Sequence, residues 1–415
     1  MPERPGDRRL LARIGERSEA MLDLLAQSVR RPSESGWEDR VTGLYGDWLA
    51  DRGWPVTRGT LAEADPGGDE PRAAERENLV AWFPRDRGLP RVVINGHVDV
   101  VPAGDEAAWT RPPYSGAREG GRVHGRGSVD TKGGIAAALF ALAALEDTGT
   151  DLPFDVAVQL VTAEETSGAG TRAAAPFVPD PAAAIVLEPT GGAIVPVSTG
   201  LLFFTVEVTG VAAHTSAPWR GVDAFERLVW VRDALAEFAR KRGETYRHPL
   251  FTDVPTAIPF AVGTVRAGTW RAAVPDHATM SGRIGVAPGE SLEDVRREVG
   301  RVLAEVAAAD DWLRRHPPTI RWDHEGLPGW ETPVTHGLVQ ALRSAQVARG
   351  GREAMTGFTA GSDAAYFGAR GVPTAVFGPG DVAQAHAPDE SVAEQDVINA
   401  AEVLALTLTR LEVTG

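Results

Sequence analysis

The chain has 415 residues, with 57 Asp and Glu against 42 Lys and Arg, a formal net charge of −15, and no cysteine. That balance argues against nucleic acid as a partner, because binding phosphate requires a basic surface. Without cysteine there are no disulfides and no thiolate metal sites, so any metal has to be held by His, Asp and Glu.

A chain this long suggests two or three domains, or one large domain carrying an insertion. A composition of 43% hydrophobic and 24% charged residues is that of a globular protein. The N-terminal stretch from Met1 to Gln27 has no apolar run long enough for a leader or a membrane span, so a cytoplasmic protein is expected. Its apolar residues Leu10, Ile14, Leu22 and Leu25 recur at helical spacings. The segment from Glu63 to Glu77, with Pro66, Gly67, Gly68 and Pro71, reads as a surface loop.

Strand and helix signals then alternate. Arg91 to Asn95 is a short apolar strand, and Gly134 to Leu145 is apolar on nearly every face, which predicts a buried helix. Asp155 to Val161 and Ala183 to Leu187 are further strands, apolar on both faces, as in a largely parallel sheet covered by helices. The character changes near Ser198. A strand at Leu201 to Thr209 precedes a helix from Ala224 to Arg242; strands at Phe260 to Val265 and Ala278 to Val286 precede a helix from Ser291 to Ala308; a strand at Thr319 to Trp322 closes the set. We expect an α+β domain at residues 198–326, inserted between catalytic parts at 1–197 and 327–415. The last part resumes with a helix from Val334 to Arg349, a strand at Pro373 to Phe377 and a helix from Glu394 to Leu411. The fold class is therefore α/β, with a central mixed, mostly parallel sheet.

Polar clusters stand where these core strands end. His97 and Asp99 follow the first strand, Asp130 precedes the buried helix, Glu164 and Glu165 follow Val161, Glu188 follows Leu187, and His386 lies in the loop after Phe377. Ligands of open α/β sheets bind beyond the carboxyl ends of the strands, so the sheet would gather these scattered residues. Each acidic residue taken singly reads more readily as a helix cap or a solvated side chain than as a ligand. As a set, two imidazoles and three carboxylates (His97, His386, Asp130, Glu165, Glu188) suffice for two zinc ions if one carboxylate bridges. Asp99, two residues from His97 on the same side of an extended segment, can accept from its free ring nitrogen. Glu164 is placed to serve as general base. Spacing alone does not separate an amidase from an aminopeptidase or a phosphoesterase.

Five segments carry a resemblance: Gly96 to Pro102 (GHVDVVP), Gly125 to Gly134 (GRGSVDTKGG), Thr162 to Glu165 (TAEE), Leu187 to Pro189 (LEP) and Ala385 to Glu390 (AHAPDE). In content, order and spacing they resemble the metallopeptidase and deacylase family that includes acetylornithine deacetylase, succinyl-diaminopimelate desuccinylase, aminoacylase and glutamate carboxypeptidase. The resemblance implies a zinc-exopeptidase-like fold and two Zn2+ per subunit, with Co2+ or Mn2+ as substitutes. His97 and Glu188 would hold one ion, Glu165 and His386 the other, and Asp130 would bridge them. Glu164 would be the base, and Asp99 would support His97. The implied activity is hydrolysis of the amide bond of an N-acyl amino acid by a zinc-activated water. The alternatives are a dipeptidase or carboxypeptidase with the same metal chemistry and, more remotely, an inactive binding protein of the same fold.

The inserted region resembles the family's lid and dimerisation domain, about four strands and two helices, which implies a homodimer. His214, in Gly210 to Pro218, matches a histidine that reaches the partner's active site and donates to the developing oxyanion. Arg283 matches the arginine that holds the substrate carboxylate, for which a guanidinium fork is suited. Gly361, Ser362 and Asp363 match a segment lining the substrate pocket. His124 stands where the family usually has an aromatic residue and reads as packing, and His248, His277, His316, His324 and His336 are assigned no metal role. Trp270 and Arg271 depart from the asparagine and small residues usual before Val274-Pro275-Asp276, which bears on local substrate contacts rather than on the metals.

Overall fold

A computed structural model of the chain describes residues 5–64, 70–323, 325–351 and 353–413. His324, Pro66, Gly67 and Gly68 lie outside the described residues. The chain divides into two compact units, one of residues 1–196, 332–356 and 362–415, the other of residues 197–331 and 357–361.

The first unit is built on a twisted mixed sheet. Its order runs Val56–Thr60, Glu77–Phe83, Asp155–Val161, Arg91–His97, Ala183–Val186, Thr374–Val376, Ile194–Ser198. The middle of the sheet is parallel: Arg91–His97 pairs in parallel with Asp155–Val161 on one side and Ala183–Val186 on the other, and Thr374–Val376 pairs in parallel with Ala183–Val186. The flanking pairs are antiparallel. Asp155–Val161 and Ala183–Val186 are buried along their whole length, which explains why they read as unbroken apolar runs rather than alternating ones.

The helix Gly133–Asp147 fills the core on one face, with every residue from Gly133 to Leu145 buried. Ser128–Asp147 is long and apolar enough to cross a membrane, but 94% of its most apolar window is buried inside the protein, the signature of a core helix. The helices Pro5–Glu16, Ser18–Val29, Gly337–Ala348 and Glu394–Leu408 contribute Leu10, Ile14, Leu22, Leu25, Leu342 and Leu404 to the same core.

The second unit has a four-stranded antiparallel sheet in the order Phe260–Ala267, His277–Val286, Gly200–Thr209, Thr319–Trp322, with the helices Ala224–Thr245 and Leu292–Ala309. Along Gly200–Thr209 burial alternates, with Leu202, Phe204, Val206 and Val208 buried, because helices cover only one face. Asp223 and Ser291 cap the two helices by accepting backbone N–H bonds.

Three features differ from expectation. The strands Glu77–Phe83 and, at the edge, Val56–Thr60 extend the first sheet. The described part of the Glu63 to Glu77 segment includes Arg76, which is buried in an ion pair and is not a surface residue. The short stretch of residues 357–361 belongs to the second unit although it lies far along the chain from the rest of it.

Candidate metal centre

The parallel strands set the positions of the polar residues. His97 is opposite Val161 in register and Asn95 is opposite Val186, so the loops carrying Glu164, Glu165 and Glu188 leave the sheet at one level. Ala163 turns the chain directly after the strand with a left-handed φ of 63°, and His386 adopts φ 60°. Residues with side chains are uncommon in that region, and such conformations concentrate at functional sites. Gly170 permits the next helix to close on the strand end, since a Cβ there would come within 1.9 Å of the Thr162 carbonyl oxygen.

Asp130 sits in a non-helical turn between Gly127, at φ 85°, and the core helix. Glu390 fixes that turn. One of its carboxylate oxygens accepts the N–H groups of Val129 at 2.9 Å and Asp130 at 3.3 Å, and the other pairs with the buried Arg126 at 2.6 Å. The result places the Asp130 carboxylate between two imidazoles, 2.9 Å from His97 Nε2 and 3.3 Å from His386 Nε2. Nε2 of His386 also lies 3.1 Å from Glu165. Ligand atoms of His97, Asp130 and Glu165 all fall within 4.8 Å of one another.

Asp99 acts differently from the sequence expectation. The other ring nitrogen of His97 is 3.0 Å from the backbone carbonyl of Asp99 and 3.7 Å from its carboxylate. The carboxylate instead accepts the backbone N–H groups of Glu164 and Glu165, at 3.2 and 3.3 Å, and the Ser35 hydroxyl at 2.7 Å. Three backbone and side-chain donors compete for it, and the short His–Val–Asp segment brings the carbonyl, rather than the carboxylate, in line with the ring. Asp99 thus orients the histidine through its main chain and the glutamate loop through its side chain.

The electrostatics are those of a buried surplus of carboxylates. Burial pushes the carboxyls of Glu164 and Glu188 well above the usual range, and neighbouring Glu and Asp groups add to the shift. Glu165 is raised by burial against the pull of His386. Asp363, fully buried, is pushed up to about 6. Burial also opposes the charge on Asp130, yet hydrogen bonds from His386 and His97 hold its carboxyl well below the ordinary range. His386 in turn is raised to about 10 by Asp130 and Glu165. Among the described residues, Glu164 and Glu188 make no ion pair, and Asp130 and Glu165 pair with histidine alone.

This donor set fits divalent cations. A tetrahedral ion with ligands at about 2.0–2.1 Å has ligand atoms about 3.3 Å apart, and the His97–Asp130, His386–Asp130 and His386–Glu165 separations of 2.9, 3.3 and 3.1 Å lie at or just below that value. Cations would also supply the charge that the surplus of buried carboxylates needs.

Other expected residues take the following places. Arg283, in the strand His277–Val286, donates to the Thr359 carbonyl at 2.8 Å, but its buried Nε has no partner among the described residues; burial lowers the guanidinium's pKa. His214 is exposed in a loop that pairs with Ala273, and its Nδ1 lies 2.8 Å from the Ser216 hydroxyl. Gly361 packs so closely on Leu327 and Leu201 that a Cβ would approach Leu327 to 2.6 Å. The Ser362 hydroxyl is buried without a partner among the described residues. The discounted histidines have ordinary partners: His124 faces the Glu119 carbonyl, His248 and His277 face Glu331 and Glu207, His316 stacks on Trp312, and His336 caps a helix. Arg271 lies over the exposed Trp270 ring.

Sequence reasoning assigned no role to Ser35, Arg126, Glu390 or Thr171. Ser35 steadies Asp99, the Arg126–Glu390 pair steadies the Asp130 turn, and Thr171 donates to Asp363 at 2.6 Å. Of these, Arg126 and Glu390 left a trace, as members of the Gly125 to Gly134 and Ala385 to Glu390 segments.

Known proteins resemble this chain along most of its length. A family profile described as "Peptidase family M20/M25/M40" matches residues 93–410. An acetylornithine deacetylase of Edwardsiella ictaluri is 30% identical over 365 residues, covering 87% of this chain and 88% of that protein. An N-formyl-4-amino-5-aminomethyl-2-methylpyrimidine deformylase of Halalkalibacterium halodurans is 29% identical over 335 residues, covering 75% of this chain and 77% of the relative. A solved dinuclear metal binding peptidase of Bacillus subtilis superposes with a TM-score of 0.68 at 16% identity, over 96% of this chain and 99% of that one.

Proposed function

Since this chain belongs to peptidase family M20/M25/M40, whose members are metal-dependent hydrolases of amide bonds, we propose that it removes the acyl group from an N-acylated amino acid or a closely related small amine. The observation that carries this reading is the excess of carboxylates around His97 and His386, with Glu164 in no ion pair among the described residues. That the deacetylase and the deformylase among its relatives both release an acyl group from an amine favours a deacylase over a dipeptidase.

In this reading His97, Asp130, Glu165, Glu188 and His386 hold two zinc ions, with Asp130 shared. Bound there, the ions supply Lewis acidity to the scissile carbonyl and acidity to the attacking water. Glu164 takes the proton of that water and returns it to the leaving amine, a task suited to a buried carboxyl whose affinity for protons is raised. Asp99 keeps Glu164 in place by accepting its backbone N–H. Arg283 holds the substrate carboxylate, for which its unsatisfied buried Nε speaks. His214, carried on the second unit, donates to the developing oxyanion of a partner subunit's site in a homodimer. Ser362 and Gly361 line the pocket.

The test is a hydrolysis panel of N-acetyl, N-succinyl and N-formyl amines and dipeptides, run with zinc and after chelation. Chelator-sensitive release of an acyl group, faster than any dipeptide cleavage, is expected. Cleavage of dipeptides alone would replace this reading with a peptidase.

A further inference from the structure

Beyond the residues that face the substrate, a buried chain of charge holds the loop carrying the proposed base. Arg76 is 2% exposed and donates to Glu38 at 2.6 and 3.0 Å and to Glu70 at 2.6 Å. Glu38 is 1% exposed, stands at the start of the helix Asp39–Asp51, and also accepts the Gly36 N–H at 2.9 Å. The second carboxylate, Glu70, accepts from the Ser167 hydroxyl. Ser167 is two residues beyond Glu165, in the turn that begins at the left-handed Ala163, and its own N–H returns to the Ala163 carbonyl at 3.1 Å.

The same short segment, residues 35–38, reaches that turn by a second route. Ser35 donates to the Asp99 carboxylate, which accepts the N–H groups of Glu164 and Glu165. The loop is therefore gripped at its front through Ser35 and Asp99 and at its back through Glu38, Arg76, Glu70 and Ser167. A buried ion pair rarely adds net stability over apolar packing, and its best-attested use is to fix one arrangement. Here the arrangement fixed is a turn whose left-handed residue would relax if released.

We propose that Glu38, Arg76, Glu70 and Ser167 form a set of positioning residues that hold Glu164 and Glu165 in their working geometry. They touch neither the substrate nor the reacting atoms. Their effect on rate rests on the proposed function; their effect on the loop does not.

The primary variant is Ser167→Ala, because Arg76→Met would leave Glu38 buried without its counter-charge and endanger folding. In the metal-free protein, amide hydrogen exchange in residues 164–168 should speed up about tenfold, the scale of one charge-assisted hydrogen bond, with no change in the core helix Gly133–Asp147. With zinc supplied, kcat should fall about tenfold while KM stays within about twofold, since misplaced groups cost rate rather than binding. Ser167→Thr, which keeps the hydroxyl, should restore both. Exchange and kcat both within twofold of the parent, or a loss confined to KM, would overturn the proposal. A parent protein that hydrolyses no amide would instead refute the deacylase reading, and the exchange measurement would still decide this one.

Discussion

The carboxylate of Asp130 lies 2.9 Å from Nε2 of His97, and its other oxygen lies 3.3 Å from Nε2 of His386. Two histidines from opposite ends of the chain thus share one acidic residue. The sharing has a cause in the fold: parallel strands deliver His97, while Glu390 fixes the turn that presents Asp130. Two imidazoles on one carboxylate, with the buried Glu188 and the half-buried Glu164 and Glu165 nearby, form an arrangement that protons stabilise poorly and divalent cations stabilise well.

Loss of Asp130 should therefore weaken cation binding more than loss of any single terminal ligand. Zinc at a hundredfold excess over its dissociation constant stabilises a protein by about 2.7 kcal/mol for one site. Thermal unfolding of the parent should shift upward with added zinc by at least that equivalent. Asp130→Asn should lose most of the shift, and a full shift in the variant would speak against a shared ligand.

Glu164→Gln should retain zinc and lose turnover. General acid–base catalysis contributes about 10²–10⁴-fold, so kcat should drop by that factor with zinc content unchanged by elemental analysis. The glutamine keeps the backbone N–H that Asp99 holds, so the loop is preserved. A variant with full zinc and parental kcat would remove Glu164 from the mechanism.

Arg283→Met should discriminate among substrates. Hydrogen bonds to charged groups contribute about 1.5–3 kcal/mol, which corresponds to roughly 10–150-fold in kcat/KM for an N-acyl amino acid. The matching amide-capped substrate, which lacks the carboxylate, should be little affected. Loss of the Arg283 bond to the Thr359 carbonyl should cost the fold about 0.5–1.5 kcal/mol in urea unfolding. An equal loss on both substrates would assign Arg283 a structural role.

Away from the site, Asp155 links acidity to stability. Burial works against its charge, but Arg87, through its side chain and backbone N–H, and the Leu89 N–H hold its carboxyl below the ordinary range. A depressed carboxyl stabilises the fold above its unfolded pKa of about 3.9, and that contribution fades as pH falls through the lower folded value. Asp155→Asn should cost about 1–3 kcal/mol in urea unfolding at pH 7, with the gap to the parent narrowing only below about pH 4. A gap that is constant across that range would show that charge is not what Asp155 contributes.

Much of this was legible in the sequence, for identifiable reasons. Apolar runs such as Val156 to Val161 end abruptly at acidic residues, and a buried strand in a parallel sheet leaves that pattern. The core helix announced itself because apolar residues cover all its faces. Val56–Thr60 did not, since an exposed edge strand with Thr57, Arg58 and Gly59 carries no apolar alternation. The assignment of Asp99 required coordinates: sequence spacing shows that two residues are near each other, not whether a carbonyl or a carboxylate faces the ring. Arg76 was hidden for a similar reason, because a charged residue in a polar stretch reads as solvated until its buried partners are seen.

In the proposed reading, five side chains from the ends of the parallel strands and the loops beside them gather around a pair of cations. The most direct measurement is anomalous diffraction at the zinc edge from crystals grown with zinc. Two peaks per chain are expected, both within about 2.0–2.2 Å of Asp130 oxygens, one also ligated by His97 and Glu188 and the other by Glu165 and His386. Zinc peaks elsewhere on the protein, with none in ligand range of Asp130, would contradict it.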